Sequence, residues 1–193
     1  MNIIDLVRRT NLKPATGRLL IADPQLSDPS FARTVVLLCE HGPEGSIGFV
    51  LNRPSSNNIG DFVPELYNPE IQVFEGGPVQ LDTMHMLHCI PDVLGGVAVD
   101  DNLCWGGDYN NLSSIVHNAE FSANTIRLFI GYAGWEPDQL EAELEQGSWL
   151  VSGNFNNELI FDTKPEDMWR RCIQALGPEF AYLINIPLHP QFN

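Results

Sequence analysis

The chain is short of positive charge. Its 193 residues include 10 lysines and arginines against 25 aspartates and glutamates, a formal net charge of -15 at pH 7 with histidine neutral. A surface of that sign repels phosphate backbones over most of its area. The shortage therefore disfavours direct DNA binding. The basic residues that remain for a local patch are Arg8, Arg9, Lys13, Arg170 and Arg171.

Cysteine is also scarce and has no regular spacing. Cys39, Cys89, Cys104 and Cys172 form no CxxC pair, and the first residues do not have the pattern of a signal peptide. Disulfide frameworks and zinc sites use closer, patterned cysteines. We therefore predict a protein of the reducing cytoplasm that holds no metal.

Long apolar runs and nucleotide-binding glycine motifs are missing as well. No window approaches the roughly 20 apolar residues that a membrane-spanning helix requires, and neither GxGxxG nor GxxxxGK[ST] occurs. The 44% hydrophobic content is sufficient for one core, so we predict a single domain over residues 1–193. Residues 1–16 are predicted to be a docking helix and linker. We expect no membrane association and no cofactor.

Apolar and β-branched runs predict many strands and few helices. The predicted strands cover residues 18–23, 34–39, 47–52, 71–74, 84–90, 96–100, 103–105, 125–130, 149–151 and 158–161, and the first three are nearly all apolar, which predicts cover on both faces. Helices are predicted at 59–66, at 112–119, from Pro137 to Gly147 and from a Thr163/Glu166 capping box to Gly177. Strands and helices do not alternate strictly, so the predicted class is α+β.

Several blocks resemble one family of bacterial proteins. The segments PQLSDPSF (24–31), GSIGFVLNRP (45–54), EGGPV (75–79) and GYAGWEPDQLEAE (131–143) occur in the order found in AlgH/YqgE proteins. The resemblance implies an α+β fold with a branched, largely antiparallel sheet, partly closed into a small barrel and surrounded by helices. Members of that family have no settled activity, although some carry a transcriptional-regulator label.

One group of polar candidates lies where predicted strands end. Asn52 and Arg53 follow the third strand, and they bind an anion through Arg53 if they meet Glu75 or Tyr132 at another sheet end. The alternative is structural: Arg53 pairs with an acid such as Glu75, and Asn52 satisfies turn backbone. The sequence leaves both interpretations open.

A second group of candidates follows the glycine turn at 131–134. Tyr132, Trp135, Gln139 and Glu143 are spaced to line a groove for a peptide or small ligand, because Gln139 and Glu143 lie four apart on the predicted helix. The alternative is that Trp135 fastens this helix to the sheet and Glu143 is a solvated charge.

Two other pairs have the residue types of chemistry but the wrong spacing. His85 and His88 are three apart on a predicted strand and so point to opposite faces, which disfavours a shared metal. Cys39 and His41 share a strand face, but such neighbours are about 6 to 7 Å apart, too far for direct activation of a thiol. No catalytic set is complete.

These observations predict a non-enzymatic binding or regulatory protein that acts through an unknown protein or small-molecule partner. The alternative is an enzyme for a small anionic substrate, with Arg53 as anchor and His41 or Glu40 as acid or base. A DNA-binding transcriptional regulator is the third hypothesis, and the net charge disfavours it. The sequence makes no prediction of oligomeric state.

Overall fold

The computed structural model describes residues 10–69, 71–117, 123–153 and 155–187. Its strands are β1 (Leu19–Ala22), β2 (Val35–Gly42), β3 (Gly45–Val50), β4 (Pro54–Asn58), β5 (Gln72–Glu75), β6 (Val79–His88), β7 (Val97–Ala98), β8 (Cys104–Trp105), β9 (Ile126–Trp135) and β10 (Trp149–Ser152). Its α-helices are α1 (Ile59–Phe62), α2 (Pro91–Leu94), α3 (Tyr109–Val116), α4 (Gln139–Glu145) and α5 (Pro165–Leu176). Short 3-10 turns cover Pro64–Leu66, Ala123–Thr125 and Pro178–Asn185.

The strands form one sheet that branches at β9. Its main path runs β10-β1-β2-β3-β9-β6-β8-β7, and every neighbouring pair on this path is antiparallel. Off the path, β5 pairs in parallel with Leu128–Ile130 of β9 and antiparallel with β4. The predicted α+β class with a largely antiparallel, branched sheet is confirmed.

The closure of the sheet into a small barrel is not confirmed. The path ends at β10 and β7, and these two strands do not pair with each other in the described part of the chain. The outer edge of β10 is met instead by the segment before β1, since the Val151 N–H donates to Thr10 Oγ1 at 2.9 Å. A strand edge whose N–H donates to a side chain in this way is covered, although the sheet does not close into a barrel.

Both faces of the β1–β2–β3 unit are buried, as its apolar strands predict. Leu19 and Ile21 of β1 pack with α5 and the C-terminal 3-10 turn, whereas Leu20 and Ala22 pack on the opposite face beneath α4. A separate apolar cluster lies under α1, α2 and α3. The β1–β2–β3 unit is therefore covered by α5 on one face and by α4 on the other.

Two local predictions near the C-terminal end of the chain are wrong. Residues 158–161 form a π-helical turn rather than a strand, because the Asn156 side chain accepts the Leu159 N–H at 2.8 Å and starts a turn. Thr163 does not cap α5. Its hydroxyl is buried and accepts a hydrogen bond from Arg171 Nη1 at 2.8 Å, and α5 begins at Pro165. The apolar stripe predicted for α5 is confirmed.

Residues 131–134 do not form the predicted glycine turn, because β9 continues through them to Trp135 and pairs there with β3. Other boundaries differ by a few residues. Helix α4 begins at Gln139, after a left-handed Asp138, rather than at Pro137. Of the predicted docking helix, residues 1–9 lie outside the described residues, and residues 10–16 are not helical. Among the described helices, none has both the length and the apolar character needed to cross a bilayer.

Candidate functional site

The predicted site residues do not gather in one place. Asn52 and Arg53 lie at one end of the β2–β3 hairpin, beside Val35, whereas His41 lies at the other end. His41 lies six positions after Val35 along β2, which at about 3.3 Å per residue is about 20 Å. Trp135 pairs with Ser46 at the His41 end. The residues predicted from the sequence therefore form at least two separate groups.

Asn52 fastens the loop that leads into β2. Its Nδ2 donates to the Arg33 carbonyl at 2.9 Å, and its Oδ1 accepts the Val35 N–H at 2.9 Å. One side chain thus bridges the backbone on both sides of Thr34. Asn52 holds the backbone of Arg33 in place, which is the structural role predicted for Asn52 as one of two interpretations.

Arg53 fastens the same loop further upstream. Its Nη2 donates to the carbonyls of Pro29 at 2.9 Å and Ala32 at 3.3 Å. Glu75 reaches it only through the backbone, since the Glu75 N–H donates to the Arg53 carbonyl at 2.8 Å. No ion pair joins the side chains of Arg53 and Glu75, both of which are described. A guanidinium carries five N–H donors, so three of those of Arg53 have no acceptor among the described residues.

Arg53 opens onto a small cleft that we call the arginine cleft. Its volume is about 270 Å³, and it is lined by Ala32, Arg33, Asn52, Arg53, Pro165, Glu166, Trp169 and Arg170. Three of the 10 lysines and arginines of the chain thus line one cavity. Trp169 forms a fixed part of its wall, because its Nε1 donates to the Ala22 carbonyl at 2.9 Å.

Arg33 is the most constrained residue of the arginine cleft. Its φ is 52°, a left-handed value that is uncommon outside glycine and that recurs at functional sites. Its Nη2 donates to the Ile186 carbonyl at 2.8 Å, and its guanidinium carbon lies 5.1 Å from the Trp169 ring centroid. Its Nε is buried and has no hydrogen-bond partner in the described structure. The side chain is held rigidly with one donor unused.

The rest of the cleft adds further donors. Arg170 is exposed and forms no ion pair or side-chain hydrogen bond within residues 10–69, 71–117, 123–153 and 155–187. Glu166 is the one acidic residue of the lining, four residues before Arg170 on α5, and the two side chains do not pair within the described structure. The N-terminus of the 12-residue helix α5 opens at Pro165 and carries partial positive charge. This arrangement suits an anion.

The second predicted group is built into the architecture. Glu143 accepts three hydrogen bonds: its Oε2 from Trp135 Nε1 at 2.9 Å and from Trp149 Nε1 at 2.8 Å, and its Oε1 from Gln139 Nε2 at 2.9 Å. Both indoles are buried, with exposures of 5% and 3%. Trp135 therefore fastens α4 to the sheet, and the Glu143 carboxylate is the partner of two tryptophans rather than a solvated charge.

The remaining candidates lie apart from the arginine cleft. His41 contacts Ser46 Oγ through Nδ1 at 2.8 Å and Glu141 Oε1 through Nε2 at 3.6 Å, and it lines a different cleft of about 600 Å³. Tyr132 packs edge-on against His85 with ring centroids 5.7 Å apart. Burial, with the Glu40 carboxylate as a smaller cause, raises the pKa of the Cys39 thiol well above its usual range, which disfavours a thiolate beside His41.

Comparison with known proteins places the chain in a family. A family model described as AlgH-like matches residues 19–181. The chain belongs to the AlgH-like family. A UPF0301 protein of Chlorobaculum tepidum is 43% identical over 183 residues, 94% of this chain and 96% of its own. A UPF0301 protein of Bacteroides thetaiotaomicron is 35% identical over 189 residues, 97% of this chain and 95% of its own. The resemblance inferred from the four sequence blocks is confirmed.

Solved structures share the fold of this AlgH-like chain. The solution structure of the AlgH protein from Pseudomonas aeruginosa superposes with a TM-score of 0.67 at 30% identity and covers 93% of this chain and 99% of its own. A crystal structure of a Corynebacterium diphtheriae protein gives a TM-score of 0.73 at 22% identity, covering 90% and 93%, a likeness of fold alone. None of these names states an activity.

Sequence reasoning missed two residues of the arginine cleft in this AlgH-like protein. Arg33 and Trp169 lie 136 positions apart, in a loop and in a helix whose apolar stripe explained Trp169 as core. The sequence position of Arg33 could have indicated its role. Arg33 lies just before the buried strand β2, near the point where Asn52 and Arg53 follow the paired strand β3. Arg170 was noted only as part of a basic pair with Arg171.

The two histidines of β6 point to opposite faces, as predicted. His88 is fully buried, with Nε2 contacting the Gly106 carbonyl at 3.0 Å and Nδ1 accepting the Ile90 N–H at 3.3 Å. His85 is half-buried beside Thr83 Oγ1 at 3.0 Å. Within the described residues no cluster of three or more potential metal ligands of the His, Cys, Asp or Glu type occurs.

Burial makes His88 a source of acid sensitivity. Desolvation lowers the pKa of His88 below its usual 6.5, and the hydrogen bond to Gly106 opposes that shift only in part. The unfolded chain then binds a proton at His88 more readily than the folded chain does. The contribution of neutral His88 to the unfolding free energy is therefore fully present above pH 6.5 and is lost as the pH drops toward the folded-state pKa. We expect the stability advantage of the native protein over His88→Gln to shrink by up to about 1.4 kcal/mol per pH unit in this window.

Urea unfolding at pH 7.5, 6.5 and 5.5 measures this effect. Glutamine keeps a donor for the Gly106 carbonyl and does not titrate, and His85 titrates in both proteins, so the comparison isolates His88. Parallel loss of stability in the two proteins across this range would contradict the assignment.

Proposed function

We propose that this AlgH-like protein is a non-enzymatic binding protein that holds an anionic small molecule, a phosphate or a carboxylate, in the arginine cleft. One observation carries the proposal: Arg33, Arg53 and Arg170 converge on one cavity of about 270 Å³, with donors left unused, in a chain of net charge -15. Guanidinium groups form strong, charge-assisted hydrogen bonds with both anion types. Asn52 serves the site by fixing the backbone of Arg33.

The chemistry of the lining supports binding rather than catalysis. No histidine, cysteine or serine lines the arginine cleft in the described structure, and Glu166 is its one carboxylate. The enzyme alternative pairs Arg53 with His41 or Glu40 as acid or base. Those residues lie toward the other end of β2, about 20 Å away by strand length, which is too far for one small substrate.

A regulatory role is better supported through a ligand than through DNA. Arg170 and Arg171 are adjacent on α5 but line different cavities, so they do not add to one patch. The overall charge repels a duplex. We infer a cytoplasmic location for this binding protein from the irregular spacing of its four cysteines, and the four free thiols support that inference.

Adjacent arginines on α5 allow a matched test of the cleft. Arg170→Gln removes a charge from the arginine cleft, whereas Arg171→Gln removes the same charge from the next residue, whose side chain lines another cavity. Both side chains are exposed, so both variants are expected to fold. Arg171→Gln also removes the hydrogen bond from Arg171 Nη1 to Thr163, so circular dichroism checks the fold of both variants. Loss of one charge-assisted contact is expected to weaken anion binding by about tenfold for Arg170→Gln. Arg171→Gln is expected to bind as the native protein does.

The measurement is an NMR titration of the ¹⁵N-labelled full chain with inorganic phosphate and, separately, with citrate. Shifts are expected at the backbone of Arg33, at Arg53 and at the Trp169 indole. A preference for one probe assigns the anion type. Shifts spread evenly over all basic residues, or equal weakening in both variants, would refute a specific site.

A further inference from the structure

Charge is segregated along this chain. Residues 54–126 contain ten acidic residues and no lysine or arginine, so they account for -10 of the net charge of -15. All ten basic residues lie outside this segment. In the fold the segment supplies β4 to β8 and α1 to α3, which we call the acidic lobe. Its surface attracts cations and repels a second acidic protein.

The same lobe exposes most of the large apolar side chains. Six of the eight described residues of this kind lie in it, with the following exposures: Phe62 40%, Tyr67 59%, Leu81 62%, Val93 51%, Val97 53% and Tyr109 37%. Apolar surface of this kind beside like charges is costly to leave in water and marks interaction sites when it is contiguous.

One of these six residues, Tyr109, lines a groove between the Pro64–Leu66 turn and α3. This α3 groove has a volume of about 420 Å³ and is lined by Val63, Glu65, Leu66, Met84, Tyr109, Asn110 and Ser113. Tyr109 forms a fixed wall, because its hydroxyl donates to the Met84 carbonyl at 2.9 Å. The floor includes Leu66, which is buried. The groove is mainly apolar and its shape does not depend on a mobile tyrosine.

The acidic side chains at the α3 groove are one in its lining and two next to it in sequence. Glu65 belongs to its lining, Asp61 lies on α1 just before it, and Asp108 caps α3 at its edge through the Asn110 N–H. All three are exposed. Basic residues are absent from the whole acidic lobe by sequence, so nothing in it offsets these charges. An apolar groove with acidic side chains in its lining and next to it in sequence is complementary to a segment that is apolar on one face and basic on the other.

We propose that the α3 groove binds a basic amphipathic helix of a partner protein. The apolar face of that helix packs on Leu66, Met84 and Tyr109, and its lysines or arginines contact Asp61, Glu65 and Asp108. A second copy of this chain is disfavoured as the occupant, because its own net charge of -15 repels the acidic lobe. This surface lies apart from the arginine cleft, so the proposal does not depend on the proposed function.

Two adjacent serines of α3 provide the test. Ser113 lines the α3 groove and Ser114 is exposed beside it, so Ser113→Trp fills the groove while Ser114→Trp adds the same bulk outside it. The probes are two fluorescein-labelled helical peptides with one leucine-rich face, one with lysines and one with glutamates on the polar face. Fluorescence anisotropy with the full chain is expected to show saturable binding of the lysine peptide alone. Ser113→Trp is expected to weaken it at least tenfold, Glu65→Lys severalfold, and Ser114→Trp less than twofold.

Several outcomes overturn the proposal. The proposal fails if the lysine peptide shows no saturable binding at concentrations up to about 1 mM, a dissociation constant typical of very weak complexes. It also fails if the two peptides bind with the same affinity, or if Ser113→Trp and Ser114→Trp weaken binding equally. Sedimentation that shows a dimer of the native chain, lost in Ser113→Trp, assigns the groove to a second copy and also overturns it. Circular dichroism of each variant verifies that the fold is kept.

Discussion

Replacing Gly77 by alanine is expected to prevent the chain from reaching its native fold, or to cost more than about 4 kcal/mol of unfolding free energy. A Cβ at this position lies 2.3 Å from three backbone atoms of β9: Ala133 N, Tyr132 C and Tyr132 O. Flexible side chains can move away from such a contact, but backbone cannot. Here the backbone belongs to the strand that pairs with β3, β5 and β6, so any shift is transmitted to three neighbours.

Gly42→Ala is the matched control for this effect. Gly42 lies at the end of β2 with no atom within 4 Å of the added Cβ, so the expected change is within about 0.5 kcal/mol. Urea unfolding followed by circular dichroism compares the two variants. A Gly77→Ala protein with near-native stability would show that β9 can yield at Tyr132, contrary to the close approach described.

Replacing Glu143 by alanine is expected to lower the unfolding free energy by roughly 2 to 6 kcal/mol. The carboxylate accepts both the Trp135 and the Trp149 indole N–H, and each indole is buried. Alanine leaves two buried donors without an acceptor, and the cost of each is about 1 to 3 kcal/mol. Gln139 loses its partner too, but it is exposed, so water replaces that contact.

Two further variants sharpen this result. Glu143→Gln keeps one carbonyl oxygen and is expected to cost less than alanine, because an amide can still accept from the indoles. Glu136→Ala removes an exposed acid three residues before Gln139, and only its backbone N–H and carbonyl are used in this turn, so stability is expected to be unchanged. The ¹⁵N–¹H indole signals of Trp135 and Trp149 report the contact directly. Unshifted indole signals in Glu143→Ala would contradict the shared carboxylate.

Local sequence patterns were sufficient for much of the fold. The apolar runs of β1, β2 and β3 predict a buried antiparallel unit, and the stripe of Met168, Trp169, Cys172 and Ile173 predicts the buried face of α5. Each depends on residues close together in sequence. The same locality explains the family assignment, because each matching block is a short continuous segment of the sequence.

What the sequence could not provide are contacts between distant segments. The arginine cleft exists because Asn52 binds the Arg33 carbonyl across 19 positions and Trp169 packs beneath Arg33 from a helix near the other end of the chain. The role of Glu143 depends on Trp149, which was predicted only as part of a strand. The prediction of a closed barrel was not confirmed for a related reason, since Thr10, far from β10 in sequence, contacts the edge of β10.

The pairing of β1 with β10 also sets the order of events during synthesis. Leu19 pairs with Ser152, so 133 residues of translation separate the two partners. At about 5 to 20 residues per second the ribosome needs on the order of ten seconds for that interval. During this time β1 has β2 on one side and an open edge on the other, with Leu20 and Ala22 still lacking their cover from Trp149 and Val151. A nascent chain of this protein therefore presents an apolar strand edge to chaperones until nearly four-fifths of it has been made.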